Sequence, residues 1–470
     1  MDMVTEGGAN FNDFEREIHQ KFLGLAREEL KERLEHKDRE IMQHRDKKTY
    51  RNVGRRTRTV KTMMGEVTFE RNYYRMNCGD SVKYVCLLDE SLGLDEQCGL
   101  FSEVLVENIL EMCMNMSFRK AANCITTMTG QTISHGGAWN ILQEAGRALE
   151  KQEDRLVELN EKAVLHGDID TKVLFIEMDG VYLSMQGKDR PKKIGKREIK
   201  IATYYRGWEV KGKNRVETVD KIAYAGFDDP KQFQKRREAQ LARYYDTDEI
   251  EFRLLNGDGA SWIKGIDEDV IEQLDPFHRS RAIMRWMPEK ENKTRAFQLI
   301  REKDVDGLLS FVSEQRKTVA SQDVRDKLDK LYKYFLCNKD KLLTWQERGI
   351  ELPPPPAGIE YKSLGTQEHF NSDIITHRMK RRKASWSKQG ASHMAKLLCH
   401  RITQENVEPR EINNSNSGSA PQPVFSVAQT PKTDGKGKVS APQHGSWPFE
   451  NSCVTNGRKA IRNMFEYRTM

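Results

Sequence analysis

Two aspartates stand out by their surroundings. Asp179 lies in LFIEMDGVYL (174–183) and Asp258 in LLNGDGASW (254–262); each follows an apolar run of strand type and precedes a glycine. An ionised carboxylate at the end of a buried strand is costly unless a cation or a set of donors meets it. Aspartate before glycine is also a common hairpin-turn signal, and that reading competes. Two carboxylates brought together raise each other's pKa unless a divalent cation neutralises them. Oxygen ligands of this kind suit Mg²⁺ or Mn²⁺. Two such ions, roughly 3.5–4 Å apart, can activate a water or a DNA 3′-hydroxyl and stabilise the leaving oxygen of an in-line phosphoryl displacement. A third acid usually completes such a site.

The surrounding elements must bring the two acids together. VLFIEMDGVYLSMQ, EIKIATYYRGWEV and RVETVDKIAYAGF read as three adjacent strands. The charged helix DPKQFQKRREAQLARYY follows, and then the strand EIEFRLLNGDGA. That order describes a mixed α/β sheet with helices on its faces. The fourth strand commonly returns beside the first, which would set Asp179 against Asp258. IEQLDPFHRSRAIMRW comes next, carrying Asp275 and His278; the histidine reads equally as a core residue or as a DNA or active-site contact. Residues from about 289 to 349 carry apolar stripes of helical period, and ELPPPPAG (351–358) ends them.

Upstream, residues 11–42 read as one amphipathic helix, with Phe11, Phe14, Ile18, Phe22 and Leu25 at helical spacing. RNVGRRTRTVKTMMGEVTFERNYYRM (51–76) reads as two short strands joined around Met64-Gly65. Its cations, Arg55, Arg56 and Arg58 among them, belong either to an ordinary solvated hairpin or to a ribbon that follows a phosphate backbone. Ser117 to Ala148 has the shape of a helix-turn-helix, with a turn at Thr129-Gly130 and a second helix from about Ser134. His135, Trp139, Asn140 and Gln143 would lie on or near that helix, where a recognition helix reads base edges. Ala138, Leu142, Ala145, Leu149, Leu156, Leu159 and Ala163 form a near-heptad seam that packs internally or pairs two protomers.

The chain has 470 residues, 32% charged and 37% hydrophobic, with a net charge of +7. No run reaches the roughly 18 apolar residues of a membrane helix, and the polar start MDMVTEGGAN is not a secretory signal. Eight cysteines without a CxxC pair point to a reducing cytosol and away from structural zinc. The expected organisation is an N-terminal helix (1–50), a DNA-binding region (51–165), a catalytic domain (166–404) with a helical insertion at about 285–360, and a largely disordered tail (405–470) poor in large apolar residues.

In order and context, Asp179, Asp258 and Glu368 resemble the DDE triad of RNase H-like transposases, with gaps of 79 and 110 residues. The longer gap holds a helical insertion like that of Mutator-like relatives, and DPFH (275–278) resembles their Asp/Cys-x-x-His element. GTQEHFNSDIITHRMKRRKASWSKQGASHMAKLL (365–398) is similar to the signature of a bacterial insertion-sequence family long catalogued only as uncharacterised transposase-like proteins. MGEVTFER and LLDESLGL match a further hallmark of that family, and the resemblance covers roughly residues 50–400. It implies an RNase H-like mixed sheet with a helical insertion, and Mg²⁺ or Mn²⁺, two ions, held by Asp179, Asp258 and Glu368. It further implies metal-dependent cleavage and joining of DNA at the element's terminal repeats and target, a homodimer or larger assembly, and a place at the nucleoid. Arg378, Lys380, Arg381, Arg382 and Lys383 would neutralise phosphates beside the metals; Trp386 reads as a packing anchor or a base-stacking platform. The rival reading is a domesticated copy that binds DNA without cutting it.

Overall fold

Asn10 starts the first helix: its side chain accepts from the Asp13 amide, and Asp13 returns a bond to the Asn10 amide. This helix, α1, runs over Phe11–His44. The computed structural model describes residues 10–78, 81–94, 101–213, 215–263 and 270–407, with two short paired strands, Ser426–Ala428 and His444–Ser446. The expected disorder of the tail beyond residue 407 falls otherwise outside the described residues. The chain divides into two compact units, one within Met1–Gln152 and one within Glu153–Arg410.

In the first unit α1 is followed by a three-stranded antiparallel sheet, β1 (Tyr50–Thr62), β2 (Gly65–Cys78) and β3 (Ser81–Val85). The expected hairpin is thus longer than two short strands, and its turn falls at Met63-Met64, between the paired Thr62 and Gly65. Leu30, Leu34 and Ile41 of α1 pack against Val60, Val67, Phe69 and Leu88. The residues whose spacing announces α1, from Phe11 to Leu25, lie instead on its outside, 53–77% exposed. Helices α2 (Leu87–Leu92), α3 (Glu103–Asn115) and α4 (Phe118–Thr129) follow. Ser117 caps α4, and Gly130 ends it with φ 67°, a conformation glycine adopts without strain. Helix α5 covers His135–Glu161, and the Ser134 hydroxyl accepts from the Gly137 amide at its start. The two helices and the turn at Gly130 therefore fall where the sequence reading put them. Ala138, Leu142, Ala145 and Leu149 are buried within the single chain, which takes most of the seam out of use for pairing protomers.

The second unit is mixed α/β. Its five-stranded sheet has the order β10-β9-β4-β5-β8, with β4 (Val173–Ser184) in the middle. β5 (Lys196–Tyr205) and β8 (Ile222–Gly226) continue antiparallel on one side; β6 (Trp208–Gly212) and β7 (Arg215–Thr218) form a separate hairpin. On the other side β9 (Phe252–Gly257) and β10 (Val270–Leu274) run parallel to β4, β9 being its direct neighbour. Helix α6 (Pro230–Tyr244), capped by Asp229, supplies the crossover from β8 to β9. Leu174, Ile176 and Met178 enter a core with Tyr204, Phe233 and Leu255. Strand alternation then sends Phe175, Glu177 and Asp179 to the opposite face. Four helices, α7 (Pro276–Trp286), α8 (Lys290–Arg301), α9 (Val305–Thr318) and α10 (Gln322–Leu336), build their own apolar core around Ile283, Leu299, Leu331 and Phe335. The helical segment so begins at 276, earlier than expected, and regular structure stops well before 360. After the prolines come α11 (Gln367–Asn371), a π-helical stretch (Ser372–Lys380) and α12 (Lys388–Asn406).

Candidate metal centre

The β4–β9 register pairs Met178 with Gly257, so the next residues, Asp179 and Asp258, stand side by side. This is the juxtaposition the strand order anticipated. The hairpin-turn alternative fails at Asp179, because β4 runs straight through Gly180, which pairs with Lys200. A Cβ there would come within 2.0 Å of Glu198 Oε1, so the Glu198 side chain takes the space that glycine leaves. At Asp258 the chain does turn. Gly259 has φ +82°, and the Asp258 carboxylate accepts from the Ala260 amide at 2.8 Å. The Asp258 carbonyl accepts from the Tyr334 hydroxyl of α10 at 2.8 Å, so the helical segment buttresses the strand exit.

His278 joins the two aspartates. One ligand atom from each of Asp179, Asp258 and His278 lies within 4.8 Å of the others. Asp275 sets this geometry as the cap of α7: its Oδ2 accepts from the His278 amide at 3.3 Å and faces Nδ1 at 2.8 Å. A carboxylate on Nδ1 fixes the ring and leaves Nε2 as the ligand atom. Burial opposes charge on His278, yet the Asp275 hydrogen bond and the fields of Asp179, Asp275 and Asp258 raise its pKa. Burial acts on Asp275 too, but the bonds from His278 and Asn256 hold it below the usual carboxylate range.

Burial pushes Asp179 up to about 6; the charge of Asp258 adds to this, while His278, the Gly180 amide and Asn371 oppose it. Asn371 Nδ2 donates to Asp179 Oδ2 at 2.6 Å. One pleat deeper on the same strands sit Glu177 and Asn256, paired in register and completely buried. Glu177 accepts from the Tyr205 hydroxyl at 2.6 Å and from the Thr366 amide at 3.1 Å, and burial raises its pKa. Asn256 Nδ2 reaches Glu177 at 3.3 Å and Asp275 at 3.1 Å. A buried polar chain thereby runs from Thr366, just before α11, to His278. The sequence carried its signal in the i, i+2 pairs Glu177/Asp179 and Asn256/Asp258, which strand alternation puts on one face.

These residues open onto a cleft of about 530 Å³ that Arg281, Arg285, Tyr334, Asn371 and Lys380 also line. Arg281 and Arg285, one turn apart on α7, are exposed cations that the sequence reading missed. Two carboxylates and one imidazole make a donor set for a small divalent cation. The burial that raises the pKa of Asp179, to which the charge of Asp258 adds, is offset by such a cation.

The remaining expected residues divide sharply. The backbone of Glu368 lies in α11, but its side chain, like that of Arg382, lies outside the described residues. Its near rivals are engaged elsewhere, Glu360 with Lys362 at 3.0 Å and Asp373 with His369 at 3.1 Å. Lys380, Arg381 and Lys383 are exposed, whereas the Arg378 guanidinium lies 5.1 Å over the Trp386 ring. Trp386 is a packing anchor: it is 6% exposed and its indole donates to the Met379 carbonyl at 2.8 Å. In the first unit Arg55 is exposed and Arg56 stacks 3.9 Å over Tyr73, itself stacked on Tyr84. His135 and Asn140 are exposed on α5, but Gln143 is buried and cannot reach a base edge.

Arg58 requires a correction. Its side chain is 11% exposed and donates to Asp89 at 3.0 Å and to the Leu94 carbonyl at 2.7 Å. Arg71 grips the same carboxylate at 2.7 Å. Arg58 is therefore half of a buried clamp, not a phosphate contact. The clamp also gives the MGEVTFER and LLDESLGL motifs their physical content, since Arg71 ends the first and Asp89 lies in the second.

No helix among the described residues is long and apolar enough to cross a membrane. "UPF0236 protein TTE2489" of Caldanaerobacter subterraneus subsp. tengcongensis is 25% identical over 429 residues, covering 88% of this chain and 84% of the relative. A second relative from that organism, at 25% identity over 88% of this chain and 84% of its own length, has a name that joins eleven designations. "UPF0236 protein in vanSb 3'region" of Streptococcus gallolyticus is 25% identical, covering 85% of this chain and 86% of its own. Residues 4–414, both units included, match one family along their whole length, and the chain belongs to the Uncharacterised protein family (UPF0236).

Proposed function

We propose that this chain is a transposase: an RNase H-like, metal-dependent enzyme that cuts and joins DNA strands at the ends of its own element. The observation that carries the reading is the meeting of Asp179, Asp258 and His278 at the exits of adjacent parallel strands, beneath Arg281, Arg285 and Lys380. Acids alone would suit many hydrolases. Cations lining the same cleft favour a substrate with several phosphates. The sheet order, three antiparallel strands followed by two parallel ones beside the first, supports the RNase H-like assignment. A relative whose name joins eleven designations in one organism supports a gene that is copied within genomes.

Asp179 and Asp258 hold the cation, with His278 Nε2 as a further donor. A bound Mg²⁺ or Mn²⁺ supplies charge neutralisation and an activated oxygen nucleophile. Arg281, Arg285 and Lys380 hold phosphate oxygens and orient the scissile bond. Glu368 is the proposed additional acid. It follows Thr366, which Glu177 anchors, and precedes Asn371, which Asp179 anchors, by one helical turn. In the first unit Arg55 and Arg56 follow the backbone of the terminal repeat, and His135 and Asn140 read its bases.

The test is Mg²⁺-dependent nicking of a duplex taken from the inverted repeats that flank the coding region. Asp179→Asn, Asp258→Asn and Glu368→Gln should each lower cleavage by about a thousandfold or more. Glu360→Gln and Asp373→Asn should not. Undiminished cleavage in all three acid variants would falsify the mechanism. A native chain that binds the repeat and never nicks it would favour the domesticated DNA-binding protein.

A further inference from the structure

Helix α1 has two apolar faces. Leu30, Leu34 and Ile41 pack on the three-stranded sheet and α2. Roughly opposite, at 100° per residue, run Phe11 (77% exposed), Phe14 (53%), Ile18 (54%), Phe22 (65%) and Leu25 (56%). The outer stripe stops there: the next positions on that face are Glu29, Glu32, His36 and Glu40. Five large side chains in one stripe form an apolar patch of a size that marks an interaction site.

We propose that this stripe is the seat of a second copy of the same chain, docked antiparallel with Ile18 on the two-fold axis. The spacing is palindromic. Phe14 and Phe22 lie four residues either side of Ile18, and Phe11 and Leu25 lie seven either side. An isologous interface needs a patch that is complementary to itself. Antiparallel docking about Ile18 sets Phe14 against Phe22 of the second copy and Phe11 against its Leu25, twice over. The flanks agree: at 100° per residue Glu17 and Lys21 fall on one side of the stripe and Glu15 and His19 on the other, so Glu17 lies within one turn of Lys21 of the second copy, and Glu15 within one turn of its His19. A parallel pair would instead bring Glu15 opposite Glu17, like against like. At the exposures given, the ten side chains would bury roughly 1,000 Å² in total, the lower bound of a specific interface. This surface stands independently of the nuclease reading.

The experiment is sedimentation equilibrium of the full-length chain without DNA, with circular dichroism and melting temperature as controls for folding. The native chain should be a dimer. Ile18→Glu with Phe22→Glu should weaken it by about a hundredfold or more while leaving the fold intact, because both side chains are exposed. Lys21→Glu should weaken it less, and adding Glu17→Lys should restore it. Under mild oxidation Ile18→Cys should cross-link to itself beyond the native cysteine background. Phe11→Cys should cross-link only when mixed with Leu25→Cys. A monomeric native chain, which is what a segment of the chain lying on the stripe would give, overturns the proposal. So does a dimer that survives the double glutamate variant, or self-cross-linking of Phe11→Cys.

Discussion

Asp179 is strained by its own charge in the metal-free protein, so removing that charge should stabilise the fold while abolishing the function proposed for it. The rise from the ordinary 3.8 to about 6 favours the neutral form by about 3 kcal/mol. Asparagine is neutral at every pH, and its Oδ1 can still accept from Asn371, but one acceptor site is lost, at about 1 kcal/mol. Asp179→Asn should therefore gain about 2 kcal/mol at pH 7.5 in the presence of a chelator, or about 5 °C in melting temperature for a unit of this size. The sign follows from linkage. A folded-state pKa above the unfolded one means stability present below 3.8 and lost as pH rises through about 6. The advantage of the variant should accordingly vanish at low pH and be complete above about 7. Mn²⁺ should raise the melting temperature of the native chain and barely move that of the variant. Chemical and thermal denaturation with and without Mn²⁺ measure all of this. A variant less stable than the native chain in chelator at pH 7.5, or an equal response of both to Mn²⁺, would refute the reasoning.

Three further outcomes are expected. Asp89→Ala leaves Arg58 and Arg71 without their shared carboxylate, so denaturant titration should record a loss of about 3–5 kcal/mol; a loss below 1 would show that the clamp is dispensable. Arg55→Ala with Arg56→Ala should weaken binding to all duplexes and flatten its salt dependence, whereas Arg58→Ala should chiefly lower stability; fluorescence anisotropy beside a melting curve separates the two. Burial pushes His400 down to about 3, so its contribution is present above the unfolded value of 6.5 and lost as pH falls below it. Replacing it with Phe should flatten the acid side of the stability curve by about 2 kcal/mol near pH 5, and an unchanged curve would count against that assignment.

What the sequence alone determined is whatever depends on local pattern. Apolar runs of strand length gave the strands, Ser117 and Gly130 marked the ends of α4, and the order of elements set β9 beside β4 and hence Asp258 beside Asp179. The cleft residues that those patterns could not assign were chosen by packing. Arg281 and Arg285 look like any solvated pair on a helix until α7 is laid along the strand exits. His278 became a partner of the aspartates because the helix end that Asp275 caps is laid over the strand exits, a placement that the local Asp-x-x-His spacing does not encode. Arg58 went the other way: its sequence neighbours Arg55 and Arg56 are exposed, but the strand register put it opposite Phe69, where Asp89 could neutralise it. The outer stripe of α1 announced a helix in the sequence, yet only the tertiary structure decided that a second stripe would do the packing. Charge and hydrophobicity are properties of a residue, whereas burial and partnership belong to its position in the folded chain; that is why the acids were legible early and their neighbours were not.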